Sequence, residues 1–148
     1  MIKKSIATFL LTISVVFFAH AQVITTDPPF PTADGAVTIT LNATGTGLEG
    51  YSGDVYAHTG LTIDGNKWQN VIGSWGNNTN QPKLNRIGAN EYTLVITPSI
   101  RQFYGASSSA NITEICMVFR SADNSQQTSP DIFQPVYVNE LNVVITFP

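Results

Sequence analysis

The chain has 148 residues, with 7 Lys and Arg against 10 Asp and Glu, and only 11% of its residues are charged. The formal net charge of −3 and the lack of a basic cluster argue against nucleic acid or an anionic membrane surface as a partner. The single cysteine, Cys116, cannot form an intramolecular disulfide, and no group of cysteines offers a zinc site. Within the apolar run ICMVF, Cys116 is expected to be a small buried hydrophobe.

The first 21 residues have the organisation of a secretory signal peptide. Lys3 and Lys4 precede an almost wholly apolar run, residues 6–18, and Ala19-His20-Ala21 fits the small-x-small rule for cleavage. The run is too short for a transmembrane span, so we expect a secreted protein without a membrane span. Loss of both lysines leaves 5 basic and 10 acidic residues, a formal net charge of −5. The mature part, residues 22–148, is long enough for one domain.

The first half of the mature chain predicts short strands separated by turns. Residues 23–31 are extended and punctuated by prolines, because a residue before proline avoids the helical region. Alternating apolar and polar residues predict a half-buried strand at 37–42 and a second strand at 55–60. The chain beyond Gly60 is predicted to be a loop, with a short strand at 68–72 after a three-residue turn, Asp64-Gly65-Asn66.

The second half predicts a hairpin, one helical turn and three further strands. Residues 83–87 and 91–96 flank Gly88-Ala89-Asn90 and have the spacing and turn chemistry of a hairpin. One helical turn is predicted between Pro98 and Gly105, with the proline able to occupy its first position and the glycine to end it. Two aromatic residues in this turn, Phe103 and Tyr104, are expected to pack against the core. The remaining predicted strands are 114–121, 131–138 and 141–147.

These elements predict an all-β fold. About seven or eight short strands, with turn signals every ~8–12 residues and almost no helix, are typical of an antiparallel sandwich. The expected architecture is an immunoglobulin-like antiparallel β-sandwich with one short helical turn, forming a single module over residues 22–148. Because the last predicted strand ends at the C-terminus without a tail, the chain is also expected to be the N-terminal part of a longer protein.

The sequence offers no catalytic constellation. A glycosidase needs two carboxylates at a fixed separation, whereas the ten carboxylates here are scattered, mostly in turns. His58 is the only histidine left after loss of the signal peptide, no G-x-S-x-G elbow presents a serine, and a strand-end hydrogen-bonding role is expected for it. One histidine is too few for an ordinary transition-metal site. We therefore predict a non-catalytic chain with no metal site and no cofactor. A calcium site made of loop oxygens is compatible with such a domain, although no D-x-D-x-D-G pattern marks one.

The stretch from Asp54 to Asn78 holds both tryptophans of the chain among glycines and amides. Sugar rings stack their apolar faces on Trp or Tyr, while their hydroxyls take amide and carboxylate partners, so this composition is typical of a carbohydrate site. Trp68 is predicted either to fill the core or to stack on a ligand, and Trp75, between a serine and a glycine, is predicted to be exposed. The candidate ligand-binding residues are Tyr56, His58, Trp68, Gln69, Trp75, Asn77 and Asn78.

The order of motifs resembles a family of N-terminal modules on secreted α-amylases and related glycoside hydrolases of Bacteroidetes. The matching segments cover nearly all of the mature chain. They are DPPFPTADGAVTITLNATGTGL, GDVYAHTGLT, KWQNVIGSWGNN, QPKLNRIGANEYTLVITPSIRQFYG, ICMVFRSADNSQQ and DIFQPVY. The layout is also similar to that of immunoglobulin-like starch-binding modules, in which stacked Trp and Tyr with a nearby amide hold a few glucose units.

The resemblance implies a starch-like α-glucan as the partner and an attached or companion catalytic glycoside hydrolase domain. Carried over by position, it implies Trp68 and Trp75 as stacking residues, with Tyr56 and His58 at the strand edge and Gln69 as a hydroxyl partner. Two alternatives stay open. One is a structural spacer before a catalytic barrel, which would turn both tryptophans inward. The other is a truncated N-terminal piece of an α-amylase.

Overall fold

The computed structural model describes residues 22–139, which form two antiparallel four-stranded sheets and one short helix, α1. The elements are β1 Ile24–Asp27, β2 Val37–Asn42, β3 Val55–Ile63, β4 Asn66–Gln69, β5 Asn85–Gly88, β6 Glu91–Ile96, α1 Ile100–Phe103, β7 Ile112–Ser121 and β8 Ile132–Pro135. The predicted signal peptide and the predicted strand at 141–147 lie outside the described residues. No helix within residues 22–139 is long and apolar enough to cross a membrane.

The strand order is that of an immunoglobulin-like sandwich. One sheet has the order β1-β2-β6-β5 and the other has the order β4-β3-β7-β8. Lettered along the chain, these are the A-B-E-D sheet and the C-F-G sheet with an added C′ strand at its edge. The predicted fold class, an immunoglobulin-like antiparallel β-sandwich of about eight strands with one short helical turn, is confirmed.

The core lies between the two sheets and is built by strict alternation. In β2, Val37, Ile39 and Leu41 are buried while the residues between them are partly exposed, because successive side chains on a strand point to opposite faces. From the opposite sheet, Leu61 and Phe119 are also fully buried. Burying a side chain of this size contributes about 1.5–3 kcal/mol relative to leaving it exposed.

Most predicted elements lie where expected, with shifts at their ends. The extended segment 23–31 contains β1, which pairs with β2. The predicted hairpin is present, but β5 begins at Asn85 and its register with β6 shifts before Gly88. The strand predicted at 131–138 is shorter and forms β8. Cys116 is fully buried, as expected.

The helical turn begins later than predicted. Ser99 is the N-cap, and its Oγ accepts a hydrogen bond from the backbone N–H of Gln102 at 3.1 Å. Pro98 therefore precedes the cap, and its predicted place in the first turn of the helix was wrong. Gly105 has φ +63° just after the helix, so the prediction that it ends the turn is confirmed.

The two aromatic residues of this turn pack against the core as expected. Tyr104 is buried, and its hydroxyl forms a hydrogen bond of 2.7 Å with Oγ1 of Thr59 on β3. Burial raises the pKa of the Tyr104 hydroxyl, and this hydrogen bond partly opposes the rise. Phe103 is partly buried against the same core. These contacts attach α1 to the sheet that also carries the candidate site.

The hairpin of β3 and β4 differs from the prediction. β3 continues past Gly60 to Ile63, and a two-residue turn, Asp64-Gly65, leads directly into β4. Both turn residues have positive φ, 49° and 81°, as type I′ hairpin turns require. The predicted loop is therefore found only after β4, and the predicted strand at 68–72 overlaps β4 only at residues 68 and 69. Because the turn uses two residues rather than three, the strand starts at Asn66.

Candidate functional site

Aromatic rings gather on the outer face of the β4-β3-β7-β8 sheet, the face turned away from the core. On β3, Tyr56 and His58 alternate with the buried Val55 and Ala57 and therefore lie on this outer face. Trp68 on β4, Trp75 in the segment after β4, and Phe133 on β8 complete the group. We name His58, Trp68, Trp75 and Phe133 the aromatic patch.

The rings of the aromatic patch contact one another in one stacked and two edge-on arrangements. The His58 ring is stacked on Trp68, with centroids 5.2 Å apart and planes inclined by 29°. The same imidazole meets Trp75 at 4.9 Å and 80°. The two indole planes therefore differ by at least 51°, the difference between these angles. Phe133 lies 6.4 Å from Trp68 at 67°. The rings of the patch thus do not lie in one plane.

A β-bulge places Trp68 on the outer face. β3 and β4 pair at Leu61 with Gln69 and at Ile63 with Asn66, so three steps along β4 match two along β3. The extra residue disturbs the alternation, and Trp68 adopts φ +59°, which is unusual for a bulky side chain. The ring is partly buried against His58 and Phe133 and is not part of the core cluster. Bulges commonly re-aim a side chain in this way.

Asparagine side chains hold the segment that carries Trp75. The backbone oxygen of Gly76 accepts a hydrogen bond from Asn124 Nδ2 at 3.2 Å, and Asn78 Nδ2 donates to the oxygen of Ala122 at 3.0 Å. Asn77 Oδ1 accepts from the backbone N–H of Thr79 at 2.9 Å. The first two bonds tie the segment to the turn that follows β7, and the third is local to the segment. The Trp75 side chain stays 51% exposed, so the prediction of its exposure is confirmed.

A fully buried arginine lies beside the aromatic patch. Arg120 Nε donates to Gln81 Oε1 at 2.7 Å, and its Nη1 donates to Asn124 Oδ1 at 2.8 Å and to the oxygen of Ser121 at 3.1 Å. Its guanidinium carbon lies 5.3 Å from the centroid of the Tyr56 ring, and neither of the two ion pairs among residues 22–139 includes it. Tyr56 thus contacts Arg120, at the position paired with it across β3 and β7. Burial lowers the pKa of Arg120 but leaves an arginine charged.

Gln81 connects this arginine to the aromatic patch. Its Nε2 lies 2.8 Å from His58 Nδ1, while its Oε1 accepts from Arg120. Burial of the imidazole lowers the pKa of His58 below its ordinary 6.5; the charge of Arg120 lowers it further, and Asp131 opposes the shift. Burial and the charge of Arg120 therefore both favour the neutral form of the His58 ring.

Gln69 is separated from the aromatic patch. It follows Trp68 on β4 and lines a different feature, a shallow polar depression of about 340 Å³. Its Nε2 donates to the backbone oxygen of Lys67 at 3.1 Å. The depression is lined by Ile63, Asp64, Asn66, Gln69, Asn70, Ser107, Ser109 and Ala110. The structure thus brings His58, Trp68 and Trp75 into contact, with Tyr56 beside them on β3. Asn77 and Asn78 make bonds that hold the segment carrying Trp75, and Gln69 lies apart.

Four residues of this region were not predicted from the sequence as members of the candidate site: Gln81, Arg120, Phe133 and Lys67. The Lys67 ammonium lies 3.4 Å above the centroid of the Phe133 ring, a cation–π contact at the rim of the patch. Phe133 and Arg120 are distant in sequence from the tryptophans and reach them through strand pairing, whereas Gln81 lies in the same segment as Trp75, between β4 and β5. For Phe133, the only indication in the sequence was its position in the predicted strand at 131–138, where alternate side chains lie on the same face.

The side chains of this region can stack on a ring and donate hydrogen bonds. Among residues 22–139, no three His, Cys, Asp or Glu side chains lie close enough together to hold a metal ion. A scan against protein-family models and a search of curated proteins both find no match for this chain.

The lowered pKa of His58 predicts a loss of stability in mild acid. Well above pH 6.5 the imidazole is neutral in the folded and the unfolded chain and has no effect. Below this value the unfolded chain binds the proton first, so the free energy of unfolding falls until the lower folded pKa is passed. Chemical denaturation of the parent and of His58→Gln at pH 7, 6 and 5 measures this. The parent is expected to lose stability relative to the variant.

Between pH 7 and pH 5 the effect of His58 is separated from that of Asp123, a carboxyl group whose pKa is also shifted. Hydrogen bonds from Ser121 and Ser125 lower the pKa of Asp123 from 3.8 to about 2, so its contribution is present above pH 3.8 and is lost only as the pH falls toward 2. Parallel curves for parent and His58→Gln between pH 7 and pH 5 would contradict the predicted role of His58.

Proposed function

We propose that this chain is a secreted, non-catalytic module that binds a starch-like α-glucan on the aromatic patch. The observation that carries the proposal is the joining of Trp68, His58 and Trp75 into one partly exposed, contiguous surface. Aromatic faces stack on the apolar faces of sugar rings, and nearby amides and the imidazole supply polar partners for hydroxyls.

The position of both tryptophans favours binding over a purely structural spacer. A spacer would use its tryptophans to fill the core, as a buried Trp does in many sandwiches. Here neither indole belongs to the core cluster, and half of the Trp75 side chain is exposed. Exposed apolar surface costs about 25 cal/mol of free energy for each Å² in water. A partner that covers the Trp75 side chain would remove this cost.

The inclination of the indole planes supports a curved ligand. Successive glucose units of an α-1,4-linked chain turn relative to one another, whereas those of a β-1,4-linked chain form a flat ribbon. Indole planes that differ by at least 51° match the first shape better than the second. The angle between the indole planes therefore favours an α-glucan over cellulose as the ligand.

Binding of this kind would serve an attached or companion glycoside hydrolase. A module that holds the polymer raises the effective concentration of substrate at a tethered catalytic domain without adding any chemistry. The low proportion of charged residues in the chain, 11%, suits an uncharged polyhydroxylated ligand. No step of hydrolysis is assigned to residues of this chain.

Sedimentation with insoluble polysaccharides tests the proposal. The full chain is mixed with granular starch, microcrystalline cellulose and insoluble xylan, and the bound fraction is measured after centrifugation. We expect retention on starch and little on the other two. If the folded protein stays in solution with all three, the binding proposal is wrong. Retention on cellulose and not on starch would overturn the assignment to an α-glucan.

A further inference from the structure

Three side chains from separate parts of the fold form a continuous line of hydrogen bonds that ends at the aromatic patch. Arg120 on β7 bonds to Gln81 at 2.7 Å, and Gln81 bonds to His58 on β3 at 2.8 Å. Arg120 and Gln81 are both buried, while the His58 ring is partly exposed. We name these three residues the relay.

The first member of the relay decides the orientation of the second. An arginine nitrogen can only donate, so the atom of Gln81 that faces Arg120 Nε must be its carbonyl oxygen. The amide nitrogen of Gln81 then faces His58. The reverse orientation would set two donors against each other and leave the buried Arg120 Nε without an acceptor, at a cost of about 1–3 kcal/mol.

The second member decides the protonation of the third. Since Gln81 donates to His58 Nδ1, that nitrogen must be the unprotonated acceptor of the ring. A neutral imidazole with an acceptor at Nδ1 carries its proton on Nε2. Among the described residues, His58 Nε2 has no hydrogen-bond partner, so its N–H remains for solvent or a ligand.

We infer that Arg120 and Gln81 are positioning residues that hold His58 as the neutral tautomer protonated on Nε2. The aromatic patch then presents one N–H donor next to two indole rings, suited to a hydroxyl or acetal oxygen of a sugar. The ligand part of this inference rests on the proposed function, whereas the relay stands on the contacts alone. Protonation of His58 would set its new Nδ1–H against the Gln81 donor, so the relay also resists charging of the ring.

The charged groups around His58 are consistent with a neutral ring. Arg120, the relay residue on β7, carries a charge that disfavours an imidazolium. Asp131, just before β8, acts in the opposite direction and more weakly. Lys67 on β4 lies over the Phe133 ring at the rim of the patch.

Long-range ¹⁵N–¹H correlation spectra of the full chain test the relay. The resonances of His58 are identified by their loss in His58→Gln. At pH 7 we expect the pattern of an imidazole protonated on Nε2. In Gln81→Glu a carboxylate can accept from both neighbours, so the proton should move to Nδ1 and the pKa of His58 should rise by about one unit or more. Gln102→Glu on α1, an equal change of charge without contact to His58, should alter neither.

Each result bears on the inference. A parent spectrum that shows the proton on Nδ1 overturns the relay. This result needs no variant, so the inference stays testable even if Gln81→Glu does not fold. An unchanged tautomer in folded Gln81→Glu also overturns it.

Titration with maltoheptaose then separates the relay from the proposed function. The Trp fluorescence and the His58 Nε2–H resonance should both respond. A response of the fluorescence alone would overturn the ligand role of His58 and leave glucan binding standing. The absence of both responses would count against glucan binding while leaving the tautomer result intact.

Discussion

Replacing Trp75 with alanine is expected to weaken binding to maltoheptaose by about tenfold or more and to leave the stability of the chain nearly unchanged. The side chain is 51% exposed, so its removal opens no core cavity. Stacking of an aromatic ring contributes about 0.5–1.5 kcal/mol beyond the area that it buries, and 1.4 kcal/mol corresponds to tenfold in affinity. Isothermal titration calorimetry and thermal unfolding of parent and Trp75→Ala measure the two effects.

Phe30→Ala is the matched control for this substitution. Phe30 is also an exposed aromatic residue, 67% accessible, but its ring contacts Tyr137 and no member of the aromatic patch. Its removal should change the affinity for maltoheptaose by less than about twofold, because it loses no stacking surface on the patch. Equal losses in both variants, or a folded Trp75→Ala with the affinity of the parent, would show that Trp75 is not a ligand-stacking residue.

Gly60→Ala is expected to destabilise the chain by about 1–3 kcal/mol, the usual cost of overpacking, and to weaken glucan binding as well. A Cβ at Gly60 would lie 2.8 Å from the oxygen of Gln69 and 2.9 Å from Val71 Cγ2. Cβ atoms in proteins essentially never approach other heavy atoms this closely. The end of β4 and the segment after it must therefore move away from β3. Trp68 precedes that point directly, and its stacking on His58 should be disturbed. Chemical denaturation and calorimetry with maltoheptaose report the two losses.

Gly88→Ala provides the comparison in the other sheet. The nearest atom to a Cβ at Gly88 is Glu91 Oε2 at 3.2 Å, the end of a flexible side chain that can turn away. This variant should therefore keep the stability and the affinity of the parent within about 0.5 kcal/mol, as most surface changes do. If Gly60→Ala is equally harmless, the close approach of β4 to β3 is not what holds Trp68 in place.

Features that depend on local chemistry were predicted well from the sequence. The alternation of Val37, Ile39 and Leu41 is a property of neighbouring residues, and it was enough to predict a sandwich strand. The exposure of Trp75 followed from its small, polar neighbours. The Asp64-Gly65 turn was also recognised, but as a turn of three residues. That extra residue accounts for only part of the displacement, because the predicted strand began at residue 68 whereas β4 begins at Asn66.

The composition of the candidate site depended on contacts between distant parts of the chain. Trp68 and Gln69 are adjacent in sequence and were predicted to serve one ligand, yet the bulge in β4 leaves one on the aromatic patch and the other in a separate depression. Gln81 and Arg120 could not be predicted as partners of His58, because nothing local to them specifies the pairing. The sequence by itself determined the fold class and the residue types of the candidate site. Only the tertiary structure decided which of those residues meet, since strand register and bulges, rather than local propensity, set the contacts between distant side chains.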